Sequence, residues 1–317
     1  SNSRMLTVTF SGKTTTYAYD ENGNRQSVTY PGGMKEEYTY NKNNKLLTLT
    51  NKNPGGSAIS SYSYTYWDNG LQKSKTDSYG TTTYTYYPTG QIKTVTAPGK
   101  TTVYTYDGAG NRKSASETYI SDQTYNEVKY RIKNSQYLYT ETSRLISLLE
   151  SMQDSNGAEK MQRKTIYTYD NNGNQLRTTV ETLKPWAAGV QELAKAGAYS
   201  DNITQPLDST VESTDNTYDG FNRLKRTETI KSGNRAVTEY AYNGNDLRTQ
   251  KTVKKSNAGY APEVTNYLYN GSQVILETDA SNSVKTRYIQ GINYICQIDS
   301  ANKISYFMYN GHGDVVQ

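Results

Sequence analysis

One phrase recurs through this chain, and its recurrence leaves few folds open. "TTTYAYDENGNRQSVT" at 14–29 returns as "TTVYTYDGAGNRKSAS" at 101–116 and as "KTIYTYDNNGNQLRTT" at 164–179. Aligned on the second tyrosine, the copies fall at Tyr19, Tyr40, Tyr66, Tyr86, Tyr106, Tyr139, Tyr169, Tyr218, Tyr242, Tyr269 and Tyr309, with a looser match at Tyr288. The commonest spacing is 20–21 residues, and longer gaps are insertions. A fixed period of this size means that each copy is one small unit. Such a unit cannot bury its face alone and stacks on its neighbours.

The unit reads as a β-hairpin. In "TTTYTY" (81–86), Thr82, Tyr84 and Tyr86 share a face by the period-two rule. Asp then opens a turn, and Gly three residues later takes the end of that turn or the left-handed position beside it. Asp20 with Gly23, Asp107 with Gly110, and Asp170 with Gly173 follow this spacing. Gly90 and Asp219 hold the equivalent positions in copies that depart from the full phrase. A second strand follows, as in "QIKTVT" (91–96), and six residues after the anchor tyrosine stands Arg25, Leu46, Ile92, Arg112, Leu145 or Leu224. The residues expected to carry the repeat are therefore Tyr17, Tyr19, Asp20, Gly23, Tyr84, Tyr86, Gly90, Tyr104, Tyr106, Asp107, Gly110, Tyr167, Tyr169, Asp170, Gly173, Tyr218 and Asp219.

Composition says what fills such a sheet. Leu, Ile, Val and Phe make up only about 15 % of the residues, a level that accompanies disorder when net charge is high. Here 35 Lys and Arg stand against 30 Asp and Glu, and there are 32 tyrosines. Tyr and Thr suit a half-buried pleated surface. The expectation is an all-β protein, a long curved strip of antiparallel hairpins whose apolar contact comes mainly from tyrosine rings.

Two stretches break the period. Residues 119–163 contain "RLISLLESMQDSNG" and read as longer strands of the same sheet. Residues 183–212 contain "PWAAGVQELAKAGA", with Pro at a helix start and Gly197 near its end. A short helix around 185–196 is expected there, with Trp186 and Leu193 packing over the sheet or plugging an opening. The organisation expected is a β-strip over 1–182, an inserted helix and loop over 183–212, and the strip again over 213–317.

Several kinds of chemistry find no support. Gly12-Lys13-Thr14 and Gly99-Lys100-Thr101 lack the earlier glycine of a phosphate loop. The Asp20 and Asp170 turns lack the glycine at position 6 that a calcium loop requires. Cys296 and His312 are the sole cysteine and histidine, and no spacing joins them as a catalytic dyad. No catalytic, cofactor or metal residues are assigned. No apolar run approaches a membrane span of ~20 residues. The basic residues are scattered, so no nucleic-acid partner is expected. The first residue is Ser rather than Met, and no signal peptide is present, so a processed product or an excised piece of something larger is expected.

The phrase Tyr-x-Tyr-Asp-x-x-Gly-Asn at this period resembles the YD repeat of the Rhs family, which includes wall-associated bacterial toxins, the B and C subunits of insecticidal toxin complexes, and teneurins. The best copies are Tyr17–Arg25, Tyr104–Arg112 and Tyr167–Leu176, and looser ones are "TYNKNNKLL" (39–47), "TYDGFNRLK" (217–225) and "AYNGNDLRT" (241–249). "YFMYNGHGDVVQ" (306–317) is similar to the entry of the Rhs-associated core. The resemblance implies a strip that spirals into a hollow shell around a C-terminal toxin, in a secreted or bacterial cell-surface protein. In that family a later Asp-Pro-containing core motif releases the toxin by self-cleavage; Gln317 precedes any such motif, so no autoprotease residues and no toxin domain are carried over.

The function expected is that of a non-enzymatic scaffold whose partners are the rest of the parent protein and its toxin. Roughly 22 strands at ~4.8 Å give a ribbon of about 105 Å. Enclosing a cargo of about 100 residues takes a circumference of roughly 135 Å. The strip is therefore expected to leave bare edges near 4–10 and 304–310, and either to self-associate there or to cover them by local rearrangement. A second reading is a cell-wall or glycan-binding adhesin. Rings buried against one another favour the scaffold, and a row of exposed coplanar rings favours the adhesin.

Overall fold

The computed structural model describes residues 4–125, 127–183, 207–255 and 261–316. Among these residues there is no helix, and all strand ladders are antiparallel meanders. The chain divides into two compact units, Ser1–Tyr84 with Val264–Gln317, and Thr85–Glu263.

The first unit opens with β1 (Thr7–Phe10), β2 (Lys13–Tyr19), β3 (Arg25–Thr29) and β4 (Lys35–Tyr40). It continues through β5 (Leu46–Lys52), β6 (Ala58–Tyr66), β7 (Gln72–Asp77) and β8 (Gly80–Tyr86), each strand paired with the next. The second unit contains β9 (Ile92–Ala97), β10 (Lys100–Tyr106), β11 (Arg112–Tyr125), β12 (Val128–Tyr139), β13 (Leu145–Gln153) and β14 (Glu159–Tyr169). It ends with β15 (Gln175–Leu183), β16 (Leu207–Tyr218), β17 (Leu224–Lys231), β18 (Asn234–Tyr242) and β19 (Arg248–Lys255). The first unit resumes with β20 (Glu263–Asn270), β21 (Gln273–Thr278), β22 (Val284–Gln290), β23 (Tyr294–Asp299) and β24 (Ile304–Tyr306).

Alternation is clean where the sequence alternates. Along β8, Thr82, Tyr84 and Tyr86 are half-buried while Thr81, Thr83 and Thr85 are exposed. The long strands expected over 119–163 are present, and β11 and β12 reach 14 and 12 residues. Met152 and Met161 sit directly opposite each other on β13 and β14, both nearly fully buried, and give this extension an apolar centre of its own. Of the stretch 183–212 expected as an insert, residues 207–212 belong to β16, where Leu207 lies opposite Leu183 at the end of β15. The helix expected around 185–196, with Trp186 and Leu193, lies outside the described residues.

The first unit holds a packed core. Tyr17, Val28, Tyr30, Tyr38, Leu49, Tyr62 and Tyr64 of the opening strands pack against Ile295 and Cys296 of β23. Val8, Ile289, Ile304 and Tyr306 close the rim of that cluster. Each large apolar side chain fully buried this way contributes roughly 1.5–3 kcal/mol. The first and last repeats thus lie face to face, and the expectation of a bare edge at 304–310 gives way to local covering.

Candidate functional site

The side chains expected to carry the repeat are spread along the sheet, although Tyr106 and Asp107 line one groove with Tyr137, Tyr139 and Ser143. They form ladders that run from repeat to repeat. At the turn, Asp107 accepts from the Asn111 backbone at 2.8 Å through Oδ1 and from the Asn111 side chain at 3.0 Å through Oδ2. The Gly110 amide donates to the Asp107 carbonyl, and the Asp107 amide donates to the Asn111 carbonyl. Gly110 sits at φ +86°, in the left-handed region where a Cβ is costly. Asp20 with Gly23 and Asn24, and Asp170 with Gly173 and Asn174, repeat this arrangement. At Asp219 the left-handed residue is Asn222, and Arg223 takes the place of the asparagine that follows glycine in the full phrase. Gly90 is left-handed after Tyr87, a residue with no carboxylate to offer. The asparagine hydrogen bonds hold the Asp20, Asp107 and Asp170 carboxyls below the usual carboxylate range.

The residue after the left-handed position does more than close its own turn. Asn24 Nδ2 donates to Asn44 Oδ1 in the next turn at 2.8 Å, Asn111 reaches Ser143 at 3.0 Å, and Asn174 reaches Asn222 at 2.9 Å. Lys45 donates to the Gly70 carbonyl and Arg223 to the Asn243 carbonyl. Spacing alone gave these residues no role, although the "GN" of the recurring phrase was the signal for them.

The second ladder belongs to the anchor tyrosines. In the hairpins they open, these residues mark a slip in strand register: Tyr19 opposes Arg25, Tyr40 opposes Leu46, Tyr106 opposes Arg112 and Tyr169 opposes Gln175. A residue at such a bulge leaves a backbone group unpaired nearby. The next repeat supplies the missing donor. Tyr40 donates to the Arg25 carbonyl at 2.9 Å, Tyr66 to Leu46 at 2.7 Å, Tyr106 to Ile92 at 3.0 Å and Tyr169 to Leu145 at 2.7 Å. Tyr218 donates to Gln175 and Tyr242 to Leu224. Tyr19 makes the matching bond to the Met5 carbonyl.

The first tyrosine of each pair serves packing. Tyr17 is buried in the core of the first unit, whereas Tyr84, Tyr104 and Tyr167 are half-buried, as are the anchors Tyr86, Tyr106, Tyr169 and Tyr218. Cations cover several rings. The guanidinium of Arg25 lies 4.6 Å from the centre of the Tyr38 ring, Arg112 lies 4.6 Å from Tyr104, and Arg248 lies 4.3 Å from Tyr240. Neighbouring rings meet edge to face, as Tyr87 does with Tyr106 at 6.0 Å and Tyr119 with Tyr130 at 5.9 Å.

In the first unit a third arrangement appears. The segment after β24 crosses the tyrosine face of the opening strands, and one side chain from each strand or its end holds its backbone. Tyr30 donates to the Phe307 carbonyl at 3.1 Å, and Glu36 accepts from the Tyr309 amide at 3.3 Å. Asn51 donates to the Tyr309 carbonyl at 3.2 Å, and Tyr64 accepts from the Gly311 amide at 3.0 Å. Met308 and Tyr309 are buried by this contact. Glu36 is itself fully buried and accepts from Tyr30 at 3.0 Å and Tyr38 at 2.5 Å. Loss of water outweighs these donors and the charge of Arg25, so its carboxyl titrates above the usual range. The same surroundings push the Tyr309 hydroxyl up to about 12.

The two Gly-Lys-Thr strings are hairpin turns, with Gly12 and Gly99 at positive φ between paired strands. His312 stands edge-on to the Tyr64 ring at 6.2 Å, and the Cys296 thiol lies in the apolar core, where burial raises it. Among the described residues no group of three or more His, Cys, Asp or Glu is placed to hold a metal ion, and no helix is long and apolar enough to cross a membrane.

Comparison with known proteins places the repeat. Residues 4–35 match the family described as RHS Repeat. Over 165 residues, 47 % of this chain, it is 30 % identical to the tRNA3(Ser)-specific nuclease WapA of Bacillus spizizenii, and the tRNA nuclease WapA of Bacillus subtilis aligns over the same length at the same identity. The chain carries an RHS repeat and is similar to proteins of the Rhs/YD-repeat family. It spans about 6 % of the length of those WapA relatives. Among solved structures, TcdB2-TccC3-Cdc42 superposes on 96 % of this Rhs-repeat chain with a TM-score of 0.43 and 17 % identity, covering 18 % of that chain. The Tc holotoxin pore of Photorhabdus luminescens gives a TM-score of 0.44 at 17 % identity, again over 96 % of this chain and 18 % of the other.

Proposed function

We propose that this chain is a wall segment of an Rhs-type shell, a non-enzymatic scaffold that encloses a C-terminal toxin or effector of its parent protein until delivery from a secreted or cell-surface assembly. The observation that carries the reading is how the motif residues are used. Anchor hydroxyls cap the backbone of the preceding repeat, turn asparagines grip the next turn, and arginines lie on tyrosine rings. A motif spent on its own neighbours builds a stiff sheet and leaves little free for a substrate. The nuclease activity named for the WapA relatives belongs to proteins of which this segment matches a small part. In this reading the shell wall is the shared part.

The rings covered by cations and met edge-on weigh against a glycan platform, which needs open faces for sugars to stack on. Protease protection in the longer parent protein tests the proposal. An enclosed effector resists digestion until the wall is weakened by replacing Tyr106 and Tyr169 with Ala. An effector digested equally fast in both forms overturns it, and retention of the isolated chain on cell-wall polysaccharide favours the adhesin.

A further inference from the structure

Four residues before the anchor tyrosine, repeat after repeat buries a small hydroxyl. Thr15, Thr102, Ser135, Thr165 and Thr265 hold this position, and all are buried. In the second repeat it is occupied by Glu36, 1 % exposed, beneath the crossing segment 307–311. Its cross-strand partner is Asn51, 0 % exposed. Asn51 spends its amide nitrogen on Ser60 and the Tyr309 carbonyl, while its Oδ1 has no hydrogen-bond partner. A buried carboxyl and a buried orphan acceptor thus stand opposite each other at the point where the last repeat is gripped. A proton on Glu36 would remove a buried charge that has hydrogen-bond donors but no ion pair among the described residues, and would offer a donor on the face that also holds Asn51.

We propose that Glu36 and Asn51 form a proton-gated lock on the segment 304–316, closed when Glu36 carries a proton shared with Asn51 Oδ1 and loosened when the carboxylate forms. The titratable groups facing Glu36 are Tyr17 from β2, Arg25 from β3, Tyr30 beyond its end, Tyr38 from β4 and Tyr309 from the crossing segment. The tyrosines stay neutral throughout the physiological range, since burial raises each of them. Arg25 is the one cation among them, and it lies over the Tyr38 ring and makes no ion pair with Glu36 among the described residues. A carboxyl raised in the folded state stabilises that state fully below its unfolded value of 4.5, and the contribution is lost as pH rises through the folded value. The lock is therefore firmest in mild acid. It concerns the first unit alone and holds whether or not the wall encloses an effector.

Cys296 is the built-in reporter, because it lies opposite Tyr306 in that segment and is buried in the core against which Tyr306 packs. The full chain is labelled with 4,4′-dithiodipyridine between pH 5 and 8, and wild type is compared with Glu36→Gln at each pH so that thiol ionisation cancels. The ratio of wild-type to variant rate should rise as the carboxyl ionises, by about tenfold for each unit by which its midpoint lies above the ordinary one. A ratio independent of pH overturns the lock. If Glu36→Gln does not fold, amide exchange of wild-type residues 304–316, corrected for intrinsic rates, decides. Protection that falls with pH relative to β6 supports the lock, and constant relative protection rejects it.

Discussion

The Tyr66 hydroxyl donates to the Leu46 carbonyl oxygen at 2.7 Å, one repeat back along the chain. Tyr66→Phe keeps the ring and removes the donor, leaving a half-buried carbonyl without its partner. The expected loss is about 0.5–1.5 kcal/mol in urea denaturation. Tyr79→Phe, at a ring 86 % exposed, is the control and should change nothing measurable. Equal effects at the two sites would mean that the inter-repeat hydrogen bond carries no stability.

Turn geometry separates two neighbouring residues. Gly110 has φ +86°, while Ala109 is absent from the positive-φ residues of the chain. Gly110→Val should cost about 1–2 kcal/mol, because a β-branched side chain is poorly tolerated in the left-handed region. Ala109→Val should cost far less. Thermal melts that shift equally for both would contradict the turn.

Close approach, with no unusual φ, sets the demand at Gly311. A Cβ built there falls 2.5 Å from the Tyr64 hydroxyl oxygen and 2.8 Å from Leu46 Cδ2. Gly311→Ala should destabilise the first unit by roughly 1–3 kcal/mol, the usual cost of overpacking. Adding Tyr64→Phe removes the nearer atom and should recover part of the loss. Gly220→Ala meets nothing within 4 Å and should be tolerated. Identical unfolding midpoints for Gly311→Ala and Gly220→Ala would show that the crossing segment does not sit against Tyr64.

The turn carboxyls predict an acid limb. Asp107 and Asp170 are held low by the hydrogen bonds they accept from Asn111 and Asn174. A carboxyl depressed in the folded state contributes stability above its unfolded value of 3.8 and loses it as pH falls through the folded value. The double variant Asp107→Asn, Asp170→Asn keeps a capping side chain but cannot titrate. Its urea midpoint should fall less than that of wild type between pH 6 and pH 3. Parallel declines would assign the acid limb to other groups, such as Glu228, held down to about 2 by Arg235 and Arg226.

Local pattern carries much of this architecture. Alternation in "TTTYTY" announces the half-buried face of β8, and the apolar clusters of 145–153 announce long strands. Contact across the length of the chain leaves no such local trace. "KEEYTY" reads as a charged strand, and nothing near Glu36 shows that Tyr309, 273 residues later, covers it. The one available signal is internal: an acid stands where most other repeats place Thr or Ser. The covering of the edge at 304–310 is hidden for the same reason. Its low charge and β-prone residues are legible, but the Tyr30, Glu36, Asn51 and Tyr64 side chains that satisfy its backbone lie far away in sequence.

The anchor hydroxyls also give the sheet a direction in time. From Tyr40 to Leu224, the bond runs from a later tyrosine to an earlier carbonyl. A repeat leaving the ribosome thus finds its acceptor already made, and the hydroxyl ladder can set in the order of its synthesis. The crossing segment is the counter-case. Tyr309 follows Asn51 by 258 residues, so at 5–20 residues per second its gripping side chains wait about 13–50 s for it. During that interval the tyrosine face of the opening strands stands uncovered in the nascent chain, a window in which a chaperone or a second nascent chain competes for it.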